Sequence, residues 1–361
     1  MVFAGLPSRR DAGVTPGTDS RQDHALTGHL LAPGEHLTGT DTAPLLQALT
    51  RLRTADTLTP EHPDHVFTPL SLLLDQWEAQ EVNTAPFHNG LALVQARYAA
   101  LGLRQLLPLD RVLVAVRSVR SGARGGFHHP NQGYRHLQMR AVVTAYGDLA
   151  APEPYAGELT LLDLLRSYAH DCLHFGSYRA YRLIDGAPVR GQYGVNFRRA
   201  DGRSYSAPDR AGARSTRNIG TVMEGACDRE ARSITRQIAH GHGVLVSGGT
   251  DGYAFRDVTG QLDSADVAEL AGLPDTGSET RAYLASMGRY ESAVNMRYQA
   301  FLEEIGGGEA EDLHSVILAS MISGDVGALS TWLDQRHGPG TFAALFMSQV
   351  YMGQMDLVLA S

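Results

Sequence analysis

The sequence predicts an α+β protein in two parts, a lobe that mixes strands and helices followed by a mainly α-helical C-terminal lobe. Three observations carry this expectation. Val112-Leu113-Val114-Ala115-Val116 and Ala141-Val142-Val143-Thr144-Ala145 are short runs of strand type. Leu161, Leu164, Leu165, Tyr168, Cys172 and Phe175 recur at helical spacing and fall on one stripe of a 3.6-residue wheel. From Ser264 onward the apolar pattern is helical, broken at Gly306-Gly307-Gly308 and at His337-Gly338-Pro339-Gly340.

Taken in order, residues 1–60 are rich in Gly, Pro, Thr and Asp, with one short helical run near Leu45 to Leu52. They read as a loosely structured N-terminal extension. The mixed lobe is expected over 61–260 and the helical lobe over 261–361. Phe67 to Glu78 and Gly90 to Leu103 read as helices ahead of the two strands. Between those strands, Ser121 to Gly126, His128-His129 and Pro130-Asn131 read as a turn or loop. The Gly-rich run lacks the spacing and the Lys-Ser/Thr ending of a phosphate-binding loop, so no nucleotide is assigned to it. Val189 to Phe197 and Arg203 to Ser206 are expected to form a hairpin about Ala200-Asp201-Gly202. In the last lobe, helical runs fall near Ala265 to Leu270, Glu279 to Glu304, Ala310 to Ile322, Ala328 to Gln335 and Thr341 to Leu359. There is no internal repeat.

Composition excludes several function classes. A chain of 361 residues with 43% hydrophobic and 19% charged residues is ordinary globular material. All 31 basic residues are Arg, and the net charge is −8. No basic stretch is dense enough to track a phosphate backbone, so nucleic acid is not an expected partner. Met1 to Ser20 has no long apolar run and no stretch approaches a membrane span, which points to the cytoplasm and away from the membrane. The two cysteines, Cys172 and Cys227, read as small buried hydrophobes, with a disulfide or a thiolate ligand as the other readings.

The chemistry-bearing pattern is His170-Asp171-Cys172-Leu173-His174 followed by Glu224-Gly225-Ala226-Cys227-Asp228. Residues four apart share a helix face, so His170 and His174 can hold one ion between their rings. Glu224, from a second helix capped by Ser215 or Thr216, would complete the ligand set, with zinc as the implied ion. A ligating histidine usually donates its other ring N–H to a carboxylate, and Asp228, one turn beyond Glu224, is the candidate acceptor for His170. The spacing of the histidines alone is weak, because about 0.6 such pairs are expected by chance in this composition. An acid directly after the first His lowers that figure to roughly 0.07. The face that carries His170, His174, Asp163 and Ser167 reads equally as the floor of a cleft or as an ordinary solvated surface.

His-Asp-x-x-His followed by Glu-x-x-x-Asp resembles the thermolysin-like, or gluzincin, zinc metallopeptidases, whose pattern is His-Glu-x-x-His and then Asn-Glu-x-x-x-Asp on a downstream helix. The resemblance covers the two motifs alone, and Met223 stands where the family has Asn. It implies a zincin-like mixed-sheet catalytic lobe, with His170, His174 and Glu224 as zinc ligands, Asp171 as general base and Asp228 as the carboxylate behind a ligand. Asp171 is the departure. It is one methylene shorter than Glu, about 1.5 Å of reach. The expected activity is zinc-dependent hydrolysis of an amide or peptide-like bond in a small substrate, with Asp171 moving the proton of metal-activated water. A donor for the developing oxyanion is sought among Tyr178, Tyr193 and His240, with Tyr181, Tyr205, His242, His314 and His337 as further candidates. Two rival readings use the same residues: a non-haem Fe(II) enzyme, and a catalytically inactive metal-binding protein.

Overall fold

The computed structural model describes residues 34–40, 42–54, 65–118, 125–129, 133–137, 149, 154–199, 204–206, 208–210, 212–246, 248–274 and 278–347. Among the described residues, eight strands make two mixed sheets. The first has the order β1 (Glu35–Leu37), β6 (Arg179–Ile184), β7 (Ala187–Tyr193), β8 (Asn196–Phe197). In it β1 runs parallel to β6, and the other pairings are antiparallel. The second has the order β2 (His65–Pro69), β3 (Val112–Ser118), β5 (Gly133–Leu137), β4 (Gly125–His129), with β3 and β5 parallel. The architecture is therefore mixed helix and sheet, as the sequence predicts at that level.

Helices account for most of the described residues. In chain order they are α1 (Thr42–Thr54), α2 (Leu70–Ala79), α3 (Ala85–Ala100), α4 (Pro154–Gly176), α5 (Ile219–Gly241), α6 (Gly249–Val258), α7 (Ser264–Ala271), α8 (Glu279–Tyr290), α9 (Met296–Phe301), α10 (Ala310–Ser323), α11 (Val326–His337) and α12 (Thr341–Phe346). The run expected from Glu279 to Glu304 is continuous, but two π-helical turns, Glu291–Asn295 and Leu302–Gly306, interrupt its α-geometry. α4 and α5 pack along each other at the centre, α3 and α10 cover α5, and α6 lies on α4. One hydrophobic core joins them all, and every member of the predicted α4 stripe lies in it.

Several local expectations are corrected. Within the segment expected to be loosely structured, the expected helical run is α1, but Glu35–Leu37 adds β1, paired with β6, and Leu45 and Leu49 of α1 are buried against Tyr181. Gly125–His129, read as a loop, pairs in strand register with β5. A tight hairpin turn not foreseen in the sequence lies at Asp185-Gly186 between β6 and β7, where both residues have positive φ (50° and 76°), as a two-residue turn between twisted strands requires. Around the turn expected at Ala200-Asp201-Gly202, the flanking Arg198 and Ser204 form an isolated bridge, and the turn residues lie outside the described set. The strand expected at Ala141 to Ala145 also lies outside it, as does the helical run beyond Met347. Among the described residues, no helix is long and apolar enough to cross a membrane.

Candidate metal centre

The site is built where α4 and α5 face each other. α5 begins at Asn218, whose side chain accepts from the Gly220 and Thr221 amides at 2.8 and 3.2 Å, so the cap is neither Ser215 nor Thr216. Those two lie in a preceding turn tied down by Asp209, whose carboxylate accepts from Thr216 Oγ1 and from the Arg217 and Asn218 amides. Gly225 has the room of a hydrogen only: a Cβ there would stand 2.4 Å from Tyr298 Cβ. α9 is thereby drawn tightly against α5 beside Glu224.

The face of α4 that carries the histidines is buried, which removes the solvated-surface reading. Asp163, Ser167, Asp171 and His174 are all at most 6% exposed, although each is polar. Burial of that kind is costly unless the groups find partners.

The partners converge. His170 Nε2 and His174 Nε2 are 2.9 Å apart, and the Glu224 carboxylate meets them at 3.6 Å through Oε1 and 3.1 Å through Oε2. Donor atoms on one tetrahedral zinc stand about 3.4 Å from one another when each bond is about 2.1 Å, so these separations suit a shared ion. Each ring is held from its far side. His170 Nδ1 lies 2.8 Å from Asp228 Oδ1, and His174 Nδ1 lies 2.6 Å from the Tyr193 hydroxyl. A nitrogen facing a carboxylate carries the proton, which leaves His170 Nε2 as a bare lone pair. A lone pair, a second ring nitrogen and a carboxylate at this spacing repel one another unless a cation or a proton sits among them. His170, His174 and Glu224 form a buried group able to hold a metal ion.

No protein-family model, curated protein or solved structure matches this chain. The reading of the site therefore rests on its donor atoms and their surroundings.

Those surroundings are strongly ionic. Arg166 donates to Asp163 at 2.9 Å and approaches Asp228 at 3.6 Å. Arg232 binds Glu291 and Asp257, both at 2.6 Å. Asn295 donates to Asp228 Oδ2 at 3.2 Å and to Glu291 at 2.8 Å. Four acids thus share two guanidiniums beneath the histidines, and Glu224 adds further negative charge, a balance that favours a cation above them.

The proton affinities follow the same logic. Burial raises that of Glu224, but His174 and His170 outweigh it and hold the carboxyl down at about 2. Burial likewise works against ionised Asp228, yet His170, Arg232 and Arg166 pull it well below the ordinary carboxylate range. For His174 burial favours the neutral ring, and Cys227, Tyr193 and Glu224 reverse this, so the ring binds a proton more tightly than usual. Asp171 is raised well above the usual carboxylate value, chiefly by burial, with His174 opposing and Glu224 and Asp228 adding to the rise.

Of the other residues singled out, Tyr193 is present but on the ring nitrogen turned away from the convergence point. Tyr178 is turned elsewhere: its ring stacks on His36 at 4.4 Å and packs over Gly324. His240 is exposed near the end of α5, about 24 Å along the axis from Glu224 at the helical rise per residue. Cys172 and Cys227 are both free and buried, and burial raises both thiols, Cys172 to about 12. Arg166 was missed as a supporting residue, though it sits one turn before His170 on its own face, beside Asp163, which the sequence already placed there. Glu291 and Asn295 had no local signal, because only the fold brings their helix to α5.

Proposed function

We propose that the chain is a metal-dependent hydrolase acting on an amide or peptide-like bond of a small substrate, with zinc as its ion. The observation that carries the reading is the meeting of two Nε2 atoms and one carboxylate, with Asp228 and Tyr193 fixing the rings from behind. Two histidines from one helix, a glutamate from the next and an aspartate one turn on resemble the gluzincin arrangement. When bound there, zinc supplies Lewis acidity toward a carbonyl and lowers the pKa of a coordinated water toward neutrality.

The chain's own residues do the rest. Asp228 keeps His170 in the tautomer that offers Nε2, and Tyr193 does the same for His174. Glu224 brings one negative charge to the ion and so sets how strongly it withdraws electrons. Asp171, one residue beyond His170 and raised by its burial, is the group that takes and returns the proton.

The test is direct. Protein purified without added metal should carry one zinc per chain and cleave members of a peptide and amide panel, and Asp171→Asn should retain the zinc while losing cleavage. Zinc-loaded protein with no such activity rejects the hydrolase reading. Since two histidines and one carboxylate also suit iron(II), the same preparation is analysed for iron. Iron content together with oxygen consumption would establish that reading instead.

A further inference from the structure

We propose that Asn295, presented by the π-helical turn Glu291–Asn295, is a positioning residue of the metal centre: it holds Asp228 in the orientation that keeps His170 aimed at the ion. The inference rests on the metal-binding reading above and adds to it a group that touches neither ion nor substrate.

The geometry of the amide is one-sided. Asn295 Nδ2 donates to Asp228 Oδ2 at 3.2 Å and to Glu291 Oε2 at 2.8 Å, while its buried Oδ1 has no hydrogen-bond partner among the described residues. Turning the amide over would set its carbonyl oxygen against two carboxylates, so its orientation is dictated by the acids it serves. Glu291 is in turn anchored by Arg232 Nη1 at 2.6 Å. Asp228 Oδ2 is therefore engaged by Asn295, and Oδ1 is left to face His170 Nδ1 at 2.8 Å and Arg166 at 3.6 Å. Without Asn295, the carboxylate loses this hydrogen bond on Oδ2 and is free to rotate away from the ring.

The backbone supports this assignment. A π-turn carries one residue more than the α-helix it interrupts, and such insertions recur at functional sites. At about 100° per residue, removing the extra residue would swing whatever follows it out of line with what precedes it. Here the turn sets Glu291 and Asn295, its first and last residues, together against α5.

The experiment measures zinc affinity by competition with a chelator, and the cobalt(II) absorption spectrum, for the full chain and its variants. Asn295→Ala should bind zinc ten- to a hundredfold more weakly, the range for partners behind a ligand, and shift the cobalt(II) bands, with the metal-free protein melting as before. In an Asp228→Asn background the same substitution should add little, because both act through one carboxylate. Asn295→Asp, nearly identical in shape, gives the same reading if the alanine variant does not fold. Unchanged zinc affinity in both Asn295 variants overturns the inference while leaving the metal site standing, and so does a loss that adds in full to that of Asp228→Asn. Failure of the unsubstituted chain to bind either zinc or iron(II) overturns the metal reading and this inference together.

Discussion

At the scale of single residues, each candidate histidine ligand is held from its far side, His170 by Asp228 and His174 by Tyr193. His174→Ala removes one of three donors and should abolish stoichiometric zinc uptake, measured by metal analysis after gel filtration. Uptake should also depend on pH: a raised proton affinity at His174 means a proton must leave when the metal arrives. Binding is then expected to weaken about tenfold per pH unit and per proton displaced as acidity increases. Stability of the metal-free chain should change with the carboxylates. Glu224 and Asp228 titrate lower in the folded state, so their contribution is complete above the unfolded values of about 4 and is lost as the pH falls through the folded ones. Acid titration of the circular dichroism should show a loss toward pH 2 that Glu224→Gln reduces. The convergence of His170, His174 and Glu224 was legible in sequence because a helix places residues four apart together. Tyr193 was singled out, but as an oxyanion donor and not as the hydroxyl behind His174, and Asn295 was not singled out at all, because nothing local links a strand or a distant helix to an imidazole.

At the scale of elements, helix existence was read well where apolar residues recur over several turns, as in α4, α5 and α10. α6 was missed: it opens at Gly249-Thr250-Asp251-Gly252, a composition that reads as loop. The π-turns were invisible because a single inserted residue leaves the apolar pattern nearly intact. The chain offers three Asp-Gly pairs: Asp185-Gly186 makes the tight turn between β6 and β7, while the one expected to turn, Asp201-Gly202, lies outside the described residues and is flanked by the antiparallel Arg198–Ser204 bridge. The α5 terminus and its packing give two further tests. Asn218→Ala removes the acceptor for two amides and should cost about 1 kcal/mol in urea denaturation. Gly225→Ala forces a methyl into Tyr298, and overpacking of this kind costs roughly 1–3 kcal/mol. Because Glu224 is adjacent, that variant should also weaken zinc binding.

At the scale of the molecule, burying an acid-rich network is tolerable only with compensating cations, and the two guanidiniums leave an excess of negative charge beside the ligands. Binding of a dication should therefore raise overall stability. At zinc concentrations a hundredfold above its dissociation constant the gain is about 2.7 kcal/mol, read as a rise in melting temperature that a chelator reverses. The mixture of helix and sheet was legible because runs of both strand and helix periodicity occur in the chain. The sheet order was not, since β1 and β6 are joined by no local connection.

That pairing has a consequence for how the protein is made. Glu35 sits opposite Arg179, so some 140 residues must be synthesised before the first strand meets its neighbour. On the ribosome the amino-terminal strand waits without a partner, and the long central helix that precedes β6 must emerge first. Sealing of that sheet edge is thus a late event of biogenesis, and a protease added during translation should cut the amino-terminal segment more readily than in the finished protein.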